Sequence, residues 1–589
     1  MIKFKHIILS LALVSMLGSC KESWLDINVD PNTPSNTSAS VKIRLPWIQH
    51  HFLYAQGTAG ARAALVTQHT TFISSTAQQS MAAGWNPIPG MVTTPYQFFF
   101  VASASNIQDL MEKAEKEGAY HYMGAAKAIR AMGFMLMTDW YGEMPYTEAL
   151  GSAVTPKFDD GKTIFEGCLK ELDEAISYLE MTQPSTATPL KDGDSWNNGD
   201  VSKWLKLCYG LKARWLNNLS KKSALYNPDA ILAAIAKAPL NTDEGTIVSH
   251  QDIVENSGDV LFGDPLKTSI LFDNVGMNTN FRITKWYEDI LTNFDNKGVE
   301  DPRADKLLPW AEFGIPKKFV RSKGVDMQSN IRMNAGPING SYNATNAAIT
   351  SNSRTVLPKT WYINSANTAR YGDTVYVSLK SSSIGYNKDV SDIYKFVDGT
   401  VGASGTFYSR PDAPTPVMTY SEMCFVKAEV LMRKGDKSGA YSAYREGIKS
   451  NIEMMNKKLA TYGNINPSKS PMEQSKIDQF LNSGIGTAND ITMGKIMTQK
   501  FIAMSFSQQN WNDIRRHDYS NSSYLGWSVP YEYTVTAAAQ VKIPLGKYFR
   551  RVMQVSHEIN YNSENVKNSH PNAMSDDIWS YPVWWDIAE

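Results

Sequence analysis

The chain has 589 residues, and its 58 basic side chains balance 58 acidic ones, which gives no net charge at neutral pH. Nucleic acid binding depends on neutralising phosphates, so this balance argues against a nucleic acid partner. It argues equally against a polybasic patch that would hold anionic lipids. Length alone suggests about four domains of ~150 residues each.

The first 20 residues have the pattern of a bacterial export signal. Lys3 and Lys5 provide a positive start, and an apolar run covers residues 7–17. A membrane-spanning helix needs about 20 residues, so this shorter run suits a cleaved signal. The sequence LGSC, which ends at Cys20, resembles the lipobox at which bacterial lipoproteins are cut and acylated. We therefore predict that residues 1–19 are removed and that Cys20 carries a lipid anchor.

Helical periodicity dominates much of the remaining chain. Residues 163–180 alternate apolar and charged faces in the pattern of an amphipathic helix. Asp200 is the predicted N-cap of a helix that follows it. Residues 120–146 predict a longer helix, and residues 489–519 predict another. The longer helix at 120–146 contains small residues that would let a neighbour approach closely, namely Gly124, Ala125, Ala128 and Gly133.

Helices that follow one another in pairs, with small residues at the contacts, predict tetratricopeptide-like hairpins and a mostly α fold. Residues 321–417 differ, being rich in Asn, Ser, Thr and Gly. Aromatic residues are interspersed there, which favours ordered loops over disorder. The predicted parts are a signal peptide (1–19), a lipid anchor and tether (20–45), a helical region (46–255), an irregular ligand-binding lobe (256–417), a second helical region (418–510) and an irregular C-terminal segment (511–589).

Three cysteines follow the predicted anchor, at positions 168, 208 and 424. An odd number, each within an apolar helical pattern, does not form a disulfide framework. We predict that all three are small buried hydrophobic residues.

Several catalytic and cofactor motifs are excluded. Gly161-Lys162-Thr163 lacks the first glycine of a phosphate-binding loop, and the chain contains neither HExxH nor GxSxG. Asp192 and Asp194 have calcium-loop spacing, but Trp196 occupies a ligand position, so a loop before a helix is favoured. These motifs therefore predict no metal site, no cofactor and no catalytic residue, and the sequence leaves open whether a calcium ion braces a loop.

One pair of carboxylates keeps a glycoside hydrolase open as an alternative. Asp139 and Glu143 lie in TDWYGEMPYTEAL, and the separation that hydrolysis needs is a property of the fold. Helix-end and turn chemistry is the favoured interpretation. Loss of turnover on replacing either residue, with the fold intact, would support the enzyme.

The aromatic content indicates a different function. Fifteen Trp and 28 Tyr can stack on sugar rings while neighbouring polar groups bind hydroxyls. Trp85 lies in a Gly/Pro loop, where a helical core is not expected to cover it. The candidate ligand-binding residues are Trp85, Asn86, Trp286, Tyr287 and Trp310. For the aromatic ones, packing against loops is the alternative, and the sequence favours it over ligand contact.

Motifs along nearly the whole chain resemble the SusD/RagB family of outer-membrane lipoproteins. The resemblance begins at Cys20 and continues in order through WLDINVDPNTPS, AIRAMGFMLMTDWYGEMPYTEAL, NNGDVSKWLKLCYGLKARW, QKFIAMSFSQQNWNDIRRHDY and the terminal VWWD. It implies a right-handed superhelix of tetratricopeptide-like hairpins with an irregular loop-rich lobe packed on it. It also implies a lipid-anchored position at the outer membrane, facing the cell exterior.

The resemblance implies a partner as well, a TonB-dependent transporter of the SusC type over which the protein sits as a lid. The leading hypothesis is a non-catalytic protein that captures oligosaccharides and delivers them to this transporter. A peptide-capturing lid, a surface glycoside hydrolase and a purely structural lid are the alternatives. The sequence alone does not separate capture from a structural lid.

Overall fold

The computed structural model describes residues 39–72, 78–251, 277, 280–313, 318–328, 342–343, 348–349, 377–379, 402–403, 405–463 and 466–589. Cys20 and the predicted signal and tether up to residue 38 lie outside the described residues. The longer helices are α1 (Val41–Val66), α4 (Ile107–Glu117), α5 (Tyr120–Tyr141), α6 (Gly161–Glu180), α7 (Val201–Asn218), α8 (Pro228–Ile235), α9 (Lys285–Thr292), α11 (Tyr420–Arg433), α12 (Lys437–Leu459), α14 (Met493–Ala503) and α15 (Gln509–Arg516).

Shorter elements connect them. The short helices are α2 (Gln78–Ala83), α3 (Thr93–Gln97), α10 (Ala304–Leu307), α13 (Gln474–Gln479), α16 (Tyr531–Val535), α17 (Ala537–Lys542), α18 (Ser556–Tyr561) and α19 (Ser563–Ser569). The strands are β1 (Thr70–Phe72), β2 (Thr246–Val248), β3 (Phe281–Ile283), β4 (Trp310–Phe313), β5 (Lys318–Arg321), β6 (Tyr342–Asn343), β7 (Ala348–Ile349), β8 (Gly402–Ala403) and β9 (Thr415–Met418).

The helices pack in consecutive pairs, as the sequence predicts. Helix α5 packs along α6, and α11 packs along α12 after the turn at Gly435. Neighbouring contacts join the pairs into one array, because α6 meets α7, α7 meets α8, and α11 packs on both α7 and α8. The mostly α fold is therefore confirmed. No helix in the described part of the chain is both long and apolar enough to cross a membrane.

Local chemistry explains the helix boundaries and the close packing. The Asp200 carboxylate accepts a hydrogen bond from the Lys203 N–H at 3.1 Å, which confirms the predicted N-cap. A Cβ built on Gly124 would lie 2.6 Å from Leu179 Cγ, and one on Gly133 would collide with the Phe99 ring. These glycines therefore permit the predicted close approach of neighbouring segments.

The prediction of one long helix over residues 489–519 is wrong. The chain forms α14 and α15, and Phe506 between them has a left-handed backbone with φ 63°. Helix α1 crosses at this point, and a Cβ on Gly60 would collide with the Phe506 carbonyl oxygen. The break therefore brings the 504–508 segment against α1.

The three cysteines are free and buried, as predicted. Cys168 and Cys208 have no exposed surface, and Cys424 is 5% exposed. Burial raises the pKa of the Cys208 thiol to about 12, so this group stays protonated and unreactive.

A cluster of buried charged and polar side chains surrounds α15; we call it the polar core and define it by Asp139, Glu429, Asp513, Arg515 and Arg516. Glu429 accepts hydrogen bonds from both terminal nitrogens of Arg516. Lys500 pairs with Asp513 at 2.8 Å. Burial alone would raise the pKa of Glu429, but the charge of Arg516 outweighs it and holds that pKa well below its usual value.

Two short strands connect the end of α1 to the start of α9. Strand β1 pairs antiparallel with β3, placing Thr70 opposite Ile283 and Phe72 opposite Phe281. The other small sheets are β2 with β9, β5–β4–β8, and β6 with β7. The β1–β3 pair positions the candidate site described next, because α1 leads into β1 and β3 leads into α9.

Candidate functional site

A cleft of about 540 Å³ lies where the end of α1, the start of α9 and the loop at 525–528 meet. We call it the tryptophan cleft, after Trp286. Its volume falls within the range typical of ligand sites, about 300–1,000 Å³. The side chains that we use to define it are Gln68, Trp286, Asp289, Asn293, Asp326 and Gln328.

Thr284 fixes the orientation of α9 at this cleft. Its backbone N–H donates to the His69 carbonyl at 3.2 Å, extending the β1–β3 pairing by one residue. Its hydroxyl accepts the Tyr287 N–H at 3.3 Å and so caps the helix. This capped first turn directs Trp286 to the cleft and the next residue, Tyr287, into the core.

Trp286 is held by its edge and remains half-buried. Its indole Nε1–H donates to the Leu525 carbonyl at 2.9 Å, and its ring meets Phe501 edge to face at 4.9 Å. Both contacts fix the ring without removing it from the cleft surface. A rigid aromatic ring of this kind offers contact area at low conformational cost.

Gln68 provides a buried polar group at the same cleft. Its side chain is 2% exposed, and its Nε2 donates to the Leu65 and Ala83 carbonyls. Its Oε1 accepts no hydrogen bond from any described residue. A buried acceptor without a partner costs free energy, so any donor that reaches it, from water or from a ligand, would be stabilised here.

The rest of the lining is polar and arranged by local contacts. Lys285 Nζ lies 2.7 Å from Asp289 Oδ1, and Gln328 Nε2 donates to the Val529 carbonyl at 2.9 Å. Asn293 and Asp326 add an amide and a carboxylate. One aromatic ring among amides and carboxylates is suited to a neutral polyhydroxylated ligand, because the ring covers C–H faces while the polar groups bind hydroxyls.

Two of the predicted ligand residues lie in the core. Trp85 and Tyr287 have no exposed surface. Tyr287 donates to or accepts from the Ser505 hydroxyl at 2.6 Å, and its ring lies 4.0 Å from that of His69. Neither ring has an accessible face, so the structure does not support direct ligand contact through these two side chains.

The expectation that a Gly/Pro loop keeps Trp85 outside the core is wrong. Aromatic residues from the far end of the chain cover it, with the Tyr519 ring at 5.2 Å and the Trp527 ring at 5.9 Å. Its indole N–H donates to the Val66 carbonyl at 2.9 Å. Trp85 therefore supports the floor beneath the 525–529 loop.

Asn86 and Trp310 are half-buried, and neither lines the tryptophan cleft. The Asn86 side-chain oxygen Oδ1 accepts a hydrogen bond from Lys542 Nζ at 2.8 Å. The Trp310 indole donates to the Asp305 carbonyl at 3.0 Å, and the Arg321 guanidinium lies 5.8 Å from its ring centroid. Of the five predicted side chains, only Trp286 lines this cleft.

The carboxylate pair considered for hydrolysis serves the fold. Asp139 is 3% exposed and accepts from Asn512 Nδ2 at 2.6 Å and Trp585 Nε1 at 2.9 Å. Burial raises its pKa to about 6, although Arg515 opposes the shift. Glu143 pairs with Arg551 at 2.8 Å. These contacts match the helix-end interpretation.

The loop with calcium-like spacing is also organised by protein groups. Asp194 accepts from the Trp196 and Gly199 N–H groups at 3.0 and 2.9 Å and from the Trp204 indole at 2.8 Å. Its carboxylate thus shapes a loop before α7, as predicted. Within the described ranges, no group of three or more His, Cys, Asp or Glu side chains is placed to hold a metal ion.

Sequence reasoning missed Gln68, Asn293, Asp326 and Gln328. Their residue types are ordinary in loops and helix ends, and they come together only through the β1–β3 pairing and the docking of the 525–529 loop. The left-handed backbone of Gln68, with φ 63°, is visible only in three dimensions.

A family model described as starch-binding associating with outer membrane, of the SusD-like type, matches residues 49–356 and 359–525. No curated protein matches the sequence at a significant level.

Solved structures share the fold at low sequence identity. A SusD/RagB family protein from Bacteroides thetaiotaomicron is 19% identical, with a TM-score of 0.62 over 94% of this chain and 100% of that one. A chitin-binding SusD homologue from Flavobacterium johnsoniae is 15% identical, with a TM-score of 0.59 over 93% and 97%. A chitin-binding protein is 19% identical, with a TM-score of 0.61 over 93% and 100%.

Proposed function

Since the chain belongs to the SusD-like family described as starch-binding and associated with the outer membrane, we propose that it captures oligosaccharides and delivers them to a TonB-dependent transporter of the SusC type. Members of this family are non-catalytic binding proteins. In this proposal the protein sits over the transporter as a lid, and the tryptophan cleft holds the ligand.

One observation carries the proposal: Trp286 and Gln68 line the same cleft. The half-buried indole supplies a flat apolar surface, and the buried Gln68 Oε1 supplies an acceptor that no described residue satisfies. A pyranose ring has both complementary features, since it presents C–H faces and hydroxyl donors. The family description and the two chitin-binding structures favour glucan or chitin fragments as probes.

The anchor is a separate part of the proposal. Cys20 lies outside the described residues, and its role rests on the LGSC pattern and the family's association with the outer membrane. We infer that lipid on Cys20 holds the body at the outer membrane, where the exterior face would meet extracellular glycans. Metabolic labelling with a fatty acid should mark the wild type and leave Cys20→Ser unlabelled.

Binding is tested by calorimetry with maltooligosaccharides, chitooligosaccharides and a peptide mixture, for the wild type, Trp286→Ala and Trp286→Phe. We expect saccharide binding without turnover in the wild type. Trp286→Ala should lose about tenfold in affinity, or ~1.4 kcal/mol, because the stacking surface disappears. Trp286→Phe keeps a smaller aromatic ring but loses part of the stacking area and the hydrogen bond to Leu525, so its affinity should lie between those of the wild type and the alanine variant.

The control is thermal unfolding, which should show that both variants are folded at the temperature of the binding assay, with Trp286→Ala unfolding at a lower temperature because it loses the contacts to Leu525 and Phe501. Binding of peptides instead of saccharides would contradict the ligand class and favour the peptide-capturing lid. No binding by the wild type would contradict capture altogether and favour a structural lid, for which co-purification with a transporter becomes the direct assay.

A further inference from the structure

A second cleft lies beside the first, on the other side of the 525–529 loop. It has a volume of about 480 Å³, and we call it the tyrosine cleft, after Tyr548. The side chains used here are Asp518, Tyr519, Asn521, Ser528 and Tyr548. Ser528 lines both clefts, so the two cavities meet at this residue.

The tyrosine cleft contains polar groups that the protein leaves without partners. Asp518 Oδ1 receives both Lys221 and Arg550 at 2.5 Å, while Oδ2 receives no hydrogen bond from the described residues. The Asn521 amide and the Ser528 hydroxyl are exposed and make no hydrogen bond within the described chain. These groups offer one carboxylate acceptor, one amide and one hydroxyl to a ligand.

Asp518 is also fixed in place, which distinguishes it from an ordinary surface carboxylate. Two cations hold the same oxygen, and the side chain is 58% exposed. Burial raises the pKa of this group, but Lys221 and Arg550 outweigh that effect and hold it below its usual value. The second oxygen therefore remains an ionised acceptor facing solvent, ready for a hydroxyl donor.

Tyr548 supplies the aromatic surface. Its ring stacks on Tyr519, with centroids 4.9 Å apart and planes 13° apart, and it remains half-buried. Tyr519 is fixed in turn, because its hydroxyl accepts the Trp511 indole N–H at 2.8 Å and donates to the Phe549 carbonyl. The Tyr548 hydroxyl makes no hydrogen bond to the described residues. The ring is thus a supported platform with a polar tip.

The 525–529 loop forms a crest between the two clefts, and at Gly526 this crest carries no side chain. Gly526 is exposed and has a φ of +73°, and a Cβ built there would meet only Trp286 Cδ1, at 3.9 Å. No side chain rises between Trp286 and Ser528 at this point. Trp527 fixes the crest from below by donating to the Thr67 carbonyl at 2.9 Å. An extended ligand can therefore cross close to the backbone.

We propose that the tyrosine cleft is a second saccharide subsite and that one linear oligosaccharide occupies both clefts, crossing the loop at Gly526 and Ser528. The inference rests on the proposed function, since it names the ligand as a chain rather than a single sugar. Tyr548 would stack on a ring, while Asp518 and Asn521 bind its hydroxyls.

Calorimetry with maltooligosaccharides and chitooligosaccharides, from disaccharides to octasaccharides, tests the subsite. The variants are Tyr548→Ala, Asn521→Ala and Trp286→Ala, with Tyr561→Ala as the control because Tyr561 is 78% exposed and lines neither cleft. In the wild type, affinity should rise with chain length until both clefts are filled. Tyr548→Ala should lower the affinity for long chains about two- to tenfold and leave the shortest ligand unchanged.

Asn521→Ala protects the test against misfolding, because this side chain is exposed and makes no hydrogen bond within the described chain. It should lower long-chain affinity in the same selective way. If Trp286→Ala weakens binding while Tyr548→Ala and Asn521→Ala leave long-chain affinity unchanged, the second subsite is overturned and the proposed function stands. An equal loss for short and long ligands would also overturn it. If the wild type binds no saccharide, both proposals fail together.

Discussion

The polar core and the tryptophan cleft are built from similar residue types, yet they serve opposite purposes. In the polar core, Asp139 receives three side-chain donors and Glu429 is surrounded by Arg516, Arg433 and Asn217. In the cleft, Gln68 keeps an acceptor without a partner and Trp286 keeps an exposed surface. Arg515 Nε in the polar core also makes no hydrogen bond to a described residue, so an unpaired polar atom alone does not indicate a ligand site; what distinguishes the cleft is an unpaired Gln68 Oε1 beside the partly exposed ring of Trp286.

The largest effect is expected on breaking the polar core. Arg516→Met should lower the free energy of unfolding by about 3–5 kcal/mol, because it leaves Glu429 buried without its main counter-charge. Denaturant unfolding measures the loss. The control is Lys434→Met, whose exposed pair with Asp229 should contribute less than about 1 kcal/mol. Equal effects of the two substitutions would contradict the distinction between core and surface.

Replacing Asp139 tests whether this buried carboxylate stabilises the fold or contributes to saccharide binding. Asp139→Asn should cost about 1–3 kcal/mol of stability, because an amide cannot accept from Gln508, Asn512 and Trp585 at once. Saccharide affinity, measured by calorimetry on the folded variant, should not change. Glu143→Gln is the matched control, with a smaller loss because Glu143 is only partly buried. A fall in affinity without loss of stability would place Asp139 in the binding machinery.

His69 lies directly beneath the tryptophan cleft. Its titration shows whether the core excludes water at this position. Burial lowers its pKa to about 3, so the folded protein keeps the ring neutral while the unfolded chain takes up a proton below about pH 6.5. The contribution of the neutral His69 ring to the free energy of unfolding is fully present above pH 6.5. It is lost progressively as the pH falls towards 3. At pH 5 the loss should be about 2 kcal/mol.

Denaturant unfolding at pH 7 and pH 5 measures this loss in the wild type and in His69→Gln. The variant lacks the titrating ring, so its free energy of unfolding should not show this loss. The difference in the free energy of unfolding between wild type and variant should therefore be about 2 kcal/mol smaller at pH 5 than at pH 7. The exposed His557→Gln controls for the substitution itself. If the difference in the free energy of unfolding between wild type and His69→Gln is the same at pH 7 and pH 5, His69 is protonated in the folded protein at pH 5.

The smallest effect is expected at Trp310, which the sequence marks as a ligand residue. Its ring faces Arg321 and its indole N–H is bound to the Asp305 carbonyl, away from the cleft lining. Trp310→Ala should therefore change saccharide affinity by less than about 1 kcal/mol, below the loss for Trp286→Ala. Calorimetry with the same oligosaccharides compares the two. A larger loss at Trp310 would move the site towards β4.

Local signals in the sequence predicted the helical pairs, the Asp200 cap, the buried cysteines and the family resemblance. They succeeded because periodicity and capping act over a few residues. Trp286 was also named as a candidate because aromatic residues near irregular segments can form a ligand surface; its place in the cleft lining agrees with this, and its role in binding stays a prediction. The burial of Trp85 was not predicted, because the rings that cover it belong to residues 519–549. Gln68 was not predicted either, because the residues that form the cleft with it are far away along the chain.

The hydrogen bond between Trp585 and Asp139 joins residues 446 positions apart. Asp586 adds a second tie, through Arg550 at 2.8 Å and Lys221 at 3.0 Å. Helix α5 therefore cannot complete its buried contacts until Trp585 has been synthesised. Such long-range closure slows folding, because the entropy of a large loop is lost before the contact forms. We therefore expect a chain that stops short of Trp585 to leave Asp139 without one of its three side-chain donors and to unfold at a lower temperature than the wild type.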